Sequence, residues 1–242
     1  MADAVSEAPS PDSVVRAAVT AFARDGYASV TVETLAKQTG MTKRMIHYHF
    51  GDKRGLYVAA LRHALGQLAP PENVLNRSFA VPVEGMRRFV DALYHTCLDN
   101  PDAVRLVLRE NLDPAVEADD AALLTDAREV ALHAERLLLA GQDAGAFRPG
   151  ITAVDLLALI VSLCFFRVGN GVTAQHLSRV DLGSRRNVDG MRRMVIDTVL
   201  AFLTSNISYS GYESYLEPSP APAEAAEPGE LFDIYGEDGR IV

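Results

Sequence analysis

Lys43, Arg44, His47, Tyr48 and His49 fall within seven consecutive positions of a 242-residue chain. Such a density of cations and rings suits one of three chemistries: metal ligation, acid–base catalysis, or contact with a polyanion. A shared metal ion does not fit a helical stretch, because each residue turns the axis by about 100° and sends His47 and His49 roughly 200° apart. Catalysis needs a base oriented by a partner. His47 has no carboxylate three or four residues on, and Asp52, beyond His49, reads as the cap of the next helix. No enzyme, metal site or cofactor is therefore expected. Nucleic acid fits better: long cations neutralise phosphate, arginine can take guanine O6 and N7 with two bonds, and an aromatic ring packs on the backbone or a thymine methyl. The plainer alternative is a structural hairpin with a solvated basic face.

Those side chains need a rigid support, and the flanking sequence supplies one. From Asp12, Val15, Ala18, Val19 and Phe22 follow the spacing of an amphipathic helix that Gly26 can end at positive φ. Thr31 caps a short second helix whose inward stripe is Val32, Leu35 and Ala36, stopped at Gly40. Thr42 caps a third helix, and Asp52 a fourth running from Lys53 to about Leu68. Pro70-Pro71 closes the unit by removing two amide donors. Two helices joined by a short turn containing glycine describe a helix-turn-helix, whose second helix enters a major groove. Ala36 lets the pair cross closely, while Leu35, Met41 and Ile46 can pin it to the first helix. The N-capped third helix also points a positive dipole end outward.

Residues 17–61 closely resemble the N-terminal DNA-binding domain of the tetracycline-repressor (TetR) family of bacterial transcription regulators. The match lies in Ala18-x-x-x-Phe22-x-x-x-Gly26-Tyr27, in the run from Thr31 to Gly40, and in Met41-Thr42-Lys43-x-x-Ile46-x-x-His49-Phe50 followed by Lys53 and Leu56. The resemblance implies that Thr42, Lys43, Arg44, Met45, Tyr48 and His49 face double-stranded DNA and that Lys53 grips a phosphate. His47 stands where the family usually has a backbone-contacting tyrosine. A shorter ring that can gain charge there either weakens that contact or makes it pH-sensitive, with operator affinity rising as pH falls through about 6.5, the value for free histidine.

Charge is divided along the chain. The net charge is -9, yet residues 12–69 hold eight Lys/Arg against four Asp/Glu, including all three lysines. Residues 70–242 hold fifteen against twenty-six. A polyanion would meet the N-terminal end, with the acidic remainder opposing non-specific adhesion. The fold expected is all-α, about nine helices. A disordered N-terminus (1–11) precedes a helix-turn-helix domain with its connecting helix four (12–69), a larger helical effector-binding and dimerisation domain (70–206), and a disordered acidic tail (207–242). Further helices are predicted over 83–98, 102–111, about 120–144, 153 to about 168, and 187–206. The tail's acidic-aromatic segments, SYSGYESYLE and ELFDIYGEDG, either compete with DNA for the basic face or form an idle solvated terminus.

The larger domain resembles the family's ligand-binding and dimerisation portion more weakly, through GAFRPG and LCFFRVGN. Helices 153–168 and 187–206 carry more apolar surface than a small monomer buries, so a four-helix homodimer interface is expected. An unknown small-molecule effector would sit among Tyr94, His95, Arg105, Arg109, Phe165, Phe166 and Asn170, aromatics with a few polar groups. Arg105 and Arg109 suit an anionic effector, or else pair with Glu110 or Asp113. The functional expectation is a sequence-specific regulator, a repressor released by its effector; the alternative is an effector-independent architectural or partner-recruiting DNA-binding protein. Cys97 and Cys164 lie far apart in apolar surroundings with no CxxC spacing, which favours buried free thiols and gives redox chemistry no support. No run of eighteen apolar residues appears, Asp155 and Arg167 interrupting the longest candidate, and the expectation is a cytoplasmic protein without membrane contact.

Overall fold

The computed structural model describes residues 9–75, 80–116, 128–207, 211 and 214–216, and among these there are ten helices and no strand. Helix α1 (Pro11–Ser29) starts within the segment expected to be disordered, because Ser10 and Ser13 cap each other's backbone amides at 3.0 and 3.1 Å. Gly26 takes φ +79°, as its position predicts, and one further helical turn follows it to Ser29. Helices α2 (Val32–Thr39), α3 (Lys43–Phe50) and α4 (Lys53–Gln67) begin at the expected caps. Thr31, Thr42 and Asp52 accept from the amides of Thr34, Met45 and Gly55 at 3.2, 3.3 and 2.8 Å. The corner between α2 and α3 turns on Gly40 at φ +71°, a left-handed conformation that costs other residues ~1–2 kcal/mol.

These four helices close on a core of Phe22, Leu35, Ile46 and Tyr57, all essentially inaccessible. Tyr57 meets Phe22 and Tyr27 edge-on, with ring centroids 4.9 and 5.0 Å apart. Burying each such side chain is worth ~1.5–3 kcal/mol, enough to hold the short α2 and α3, neither of which would be stable alone.

A short α5 (Glu72–Leu75), absent from the sequence expectation, follows Pro70-Pro71. Then come α6 (Pro82–Asp99), α7 (Pro101–Leu112), α8 (Arg128–Asp143), α9 (Ala153–Ser178) and α10 (Arg185–Thr204). They surround a second core that includes Phe89, Val90, Leu156, Val195 and Val199. Asp91 on α6 receives both Arg192 Nε and Nη2 from α10, at 2.6 and 3.0 Å. Helix α7 serves both cores. Its Ala103 and Leu106 enter the first and its Val104 the second.

Helix α9 runs ten residues beyond its predicted end. Gly169 and Gly171 do not stop it, and within this stretch Asn170 and Thr173 turn their side chains back onto the carbonyls of Phe166 and Asn170 at 3.3 and 3.0 Å. It ends at Arg179, φ +54°. At this length α9 is long and apolar enough to cross a membrane by length and composition alone, with mean hydropathy 1.8 over its most apolar window. One side, through Asp155, Leu156, Ile160 and Cys164, is buried in the second core. The other leaves Val154, Val161, Phe166, Val172 and Leu177 exposed, the last at 85%.

Residues 1–8, the predicted helix start over 120–127 and most of the acidic tail lie outside the described residues. Within the tail, residues 214–216 are tied down: the amides of Tyr215 and Leu216 donate to the buried Asp155 carboxylate at 3.1 and 2.8 Å. Arg148 donates to the Tyr215 hydroxyl at 3.0 Å.

His133, on α8, is buried against Phe89, and its Nε2 has no hydrogen-bond partner among the described residues. Burial pushes its pKa below 6.5, opposed by a backbone hydrogen bond at Leu75. The folded chain therefore keeps this ring neutral at a pH where the unfolded chain protonates it, so stability is full above the unfolded value and falls as pH drops below about 6.5. Thermal melts between pH 7.5 and 5 should show Tm falling with a shallower slope in His133→Phe than in the parent protein. Equal slopes would assign the acid sensitivity elsewhere.

Candidate nucleic-acid interface

Helix α3 is anchored by one side chain. Ile46 is 1% exposed, whereas Thr42, Lys43, Arg44, Met45, His47, Tyr48 and His49 are all exposed, Tyr48 at 80%. The structure thus gathers every predicted α3 residue on the solvent side of a helix seated over the first core. Arg44 has no ion pair among the described residues. Lys43 pairs with Glu33 from α2, and that hydrogen bond holds the Glu33 carboxyl below its usual range. Sequence reading did not pick out Glu33 as part of this face. An exposed pair of this kind is weak, so Lys43 can exchange the carboxylate for a phosphate at little cost. Lys53, half-buried, lies over the Tyr27 ring at 4.5 Å and donates to the Ala28 carbonyl at 3.2 Å. An ammonium has three donors, so this anchoring leaves donors for a phosphate.

His47 Nδ1 sits 2.7 Å from the carbonyl of Gly51, an oxygen that can only accept, so Nδ1 carries a proton. Nε2 is the nitrogen left for a partner. In the neutral ring Nε2 can only accept, and a phosphate oxygen needs a donor. The contact requires imidazolium.

The residues expected at an effector site are dispersed. Tyr94 is buried and donates to the Val188 carbonyl at 2.8 Å, bracing α6 on α10. His95 is exposed beside a separate cleft of about 580 Å³ with Gln67 and Thr96. Arg105 pairs with Asp102 on its own helix at 2.7 Å. Arg109 donates from Nε to the Ala23 carbonyl and from Nη2 to the Arg24 carbonyl, both at 2.7 Å, and so closes the end of α1 just before Gly26. Neither arginine pairs with Glu110, which accepts from the Tyr57 hydroxyl at 2.7 Å. Phe166 and Asn170 lie on the exposed side of α9.

Phe165 alone of the seven lines the largely apolar cavity of about 300 Å³ between the end of α4 and helices α6 to α9. Leu65, Leu93, Val107 and Ile160 form much of its wall, Cys97 and Cys164 face it from α6 and α9, and Asn111 supplies the one polar side chain. The signal available in the sequence was the pair of cysteines in apolar helices. Helix α7 links the two regions: Val107 and Asn111 touch the cavity, while Arg109 and Glu110 hold α1 and α4.

Comparison with known proteins accords with this arrangement. Residues 14–60 match the family described as bacterial regulatory proteins, tetR family, and residues 82–199 match the tetracyclin repressor-like C-terminal domain. The transcriptional repressor NicS of Pseudomonas putida is 28% identical over 176 residues, covering 72% of this chain and 83% of NicS. Among solved structures, the regulator PfmR of Thermus thermophilus superposes with a TM-score of 0.61 at 20% identity, over 80% of this chain and 97% of that one. FadR of Bacillus subtilis, solved with stearoyl-CoA, gives 0.60 at 15% identity, over 80% of this chain and all of FadR.

Proposed function

This chain belongs to the tetR family of bacterial regulatory proteins, and from that premise we propose a homodimeric repressor that is released from a pseudo-palindromic operator by a small, mostly apolar effector. The observation that carries the reading is the exposed cationic and aromatic face of α3, held out by a single buried anchor at Ile46. Thr42, Lys43, Arg44, Met45, Tyr48 and His49 contact the groove, with His47 and Lys53 on the backbone. The exposed apolar side of α9, together with Met194 on α10, is the subunit interface. A second copy covers it and sets two α3 helices about 34–36 Å apart, one turn of duplex.

An effector in the 300 Å³ cavity acts on α7 through Val107 and Asn111. Movement of α7 is transmitted to α1 by Arg109 and to α4 by the Tyr57–Glu110 bond. The effector releases DNA only by preferring the arrangement in which the two α3 helices no longer match successive grooves. The protein is expected to work in the cytoplasm.

Three measurements on the full chain test the reading. Light scattering should give a dimer, and genomic fragments retained on the protein should share an inverted repeat with half-sites one turn apart. A panel of apolar metabolites should contain one that raises Tm and releases such a fragment. A monomer, or fragments without an inverted repeat, would refute the dimeric reader. Retention that no compound reverses would favour an effector-independent DNA-binding protein.

His47 adds a directional expectation. Because only the doubly protonated ring donates from Nε2, operator affinity should rise as pH is lowered through the mildly acidic range. His47→Tyr, which donates at every pH in this range, should be flat. Parallel profiles for the two proteins would remove His47 from the phosphate contact.

A further inference from the structure

Cys97 and Cys164, the chain's two cysteines, are separated by 67 positions, yet the fold brings them together. Both are buried and both line the cavity between α6 and α9. The neighbouring Cys164 side chain and the positive charge of Arg167 hold the Cys97 thiol below its usual range. The Cys97 side chain, with burial, pushes the Cys164 thiol up. One sulfur is thereby favoured as thiolate while its neighbour keeps a proton, the division of labour between an attacking and a resolving cysteine. The wall around them is apolar apart from Asn111. A reagent entering here is better matched by an organic molecule than by a hydrated ion.

The geometry points to a dithiol modification site, in which an organic hydroperoxide entering the cavity oxidises Cys97 and Cys164 to a disulfide joining α6 to α9. Cys97, its proton lost to solvent, attacks the outer oxygen of the peroxide and the O–O bond breaks. The sulfur becomes a sulfenic acid, and the departing alkoxide takes the Cys164 proton and leaves as the alcohol. The Cys164 thiolate then attacks the Cys97 sulfur, the S–S bond forms, and hydroxide departs to be protonated to water. The two sulfurs lose two electrons, which the peroxide gains. Bonded sulfurs lie ~2.05 Å apart, closer than sulfurs in van der Waals contact, so the reaction draws α6 and α9 together across the cavity. Its effect on DNA binding rests on the reading of this cavity as the effector site. The thiol chemistry does not.

The reduced full-length protein is treated with stoichiometric cumene hydroperoxide, digested without reductant and analysed by mass spectrometry. The expected product is an intramolecular Cys97–Cys164 cross-linked peptide that dithiothreitol reverses. In Cys164→Ala the expected product is a sulfenic acid at Cys97, captured by dimedone. Two thiols that remain open to alkylation, or a disulfide formed only between chains, would overturn the proposal. The cross-link in the unsubstituted chain decides the matter even if the alanine variant fails to fold. In a parallel assay the cross-linked protein should bind operator at least about tenfold more weakly, within the usual range of coupling between sites. A quantitative cross-link with unchanged operator affinity would sink the effector reading of the cavity and leave the thiol site standing.

Discussion

Joint replacement of Lys43 and Arg44 by alanine should abolish specific operator binding, lowering affinity about 10³-fold or more. An arginine bonded to a guanine edge is worth ~1–3 kcal/mol. A dimer presents that contact twice and loses two lysine–phosphate contacts as well. Since each lysine that neutralises a phosphate contributes about 0.9 to the slope of log affinity against log salt, the slope should shrink by about 2. Both side chains are exposed on α3 and neither enters the core. The fold should survive, with stability changed by no more than ~0.5 kcal/mol. Fluorescence anisotropy with an operator duplex at several salt concentrations, beside a thermal melt, measures all three quantities. An unchanged affinity in a folded variant would move the DNA-reading surface away from α3.

The second large effect belongs to Arg109→Ala. Its guanidinium holds the carbonyls of Ala23 and Arg24, both at 2.7 Å, from 86 and 85 positions away in sequence. Hydrogen bonds to a charged group contribute ~1.5–3 kcal/mol each, and the Arg24 partner is exposed, so the loss should total about 2–4 kcal/mol in denaturant unfolding. Lysine should not restore it, because one ammonium cannot reproduce the fork that meets both oxygens. Arg105→Ala is the control. Among the described residues that side chain pairs only with Asp102 one turn away, at the surface, and its loss should cost less than ~0.5 kcal/mol. If the two variants melt alike, α7 does not hold α1 through this contact, and the route from cavity to α3 must pass through α4.

The DNA-reading half was legible because its determinants are local. Thr31, Gly40, Thr42 and Asp52 each act on backbone within a few residues, and the apolar spacing around Phe22, Leu35 and Ile46 states which face is inward. The C-terminal half depends on which helices meet, and one sequence does not encode that in any window. Tyr94 and Arg109 have the chemistry of ligand contacts, yet their partners are backbone carbonyls more than eighty positions away. The same distance hid the meeting of Cys97 with Cys164. The predicted end of α9 at about residue 168 fell ten residues short of the helix, which runs on to Ser178 through two glycines.

Because α7 gives Ala103 and Leu106 to the first interior as well as Val104 to the second, the N-terminal half does not own a complete hydrophobic centre. A fragment cut at residue 69 would carry an open apolar scar along α1 and α4, and the remainder would bear the complementary one. The two halves are accordingly expected to melt as one cooperative unit, so that a drop in the stability of either should reach the reading head without any ligand being bound.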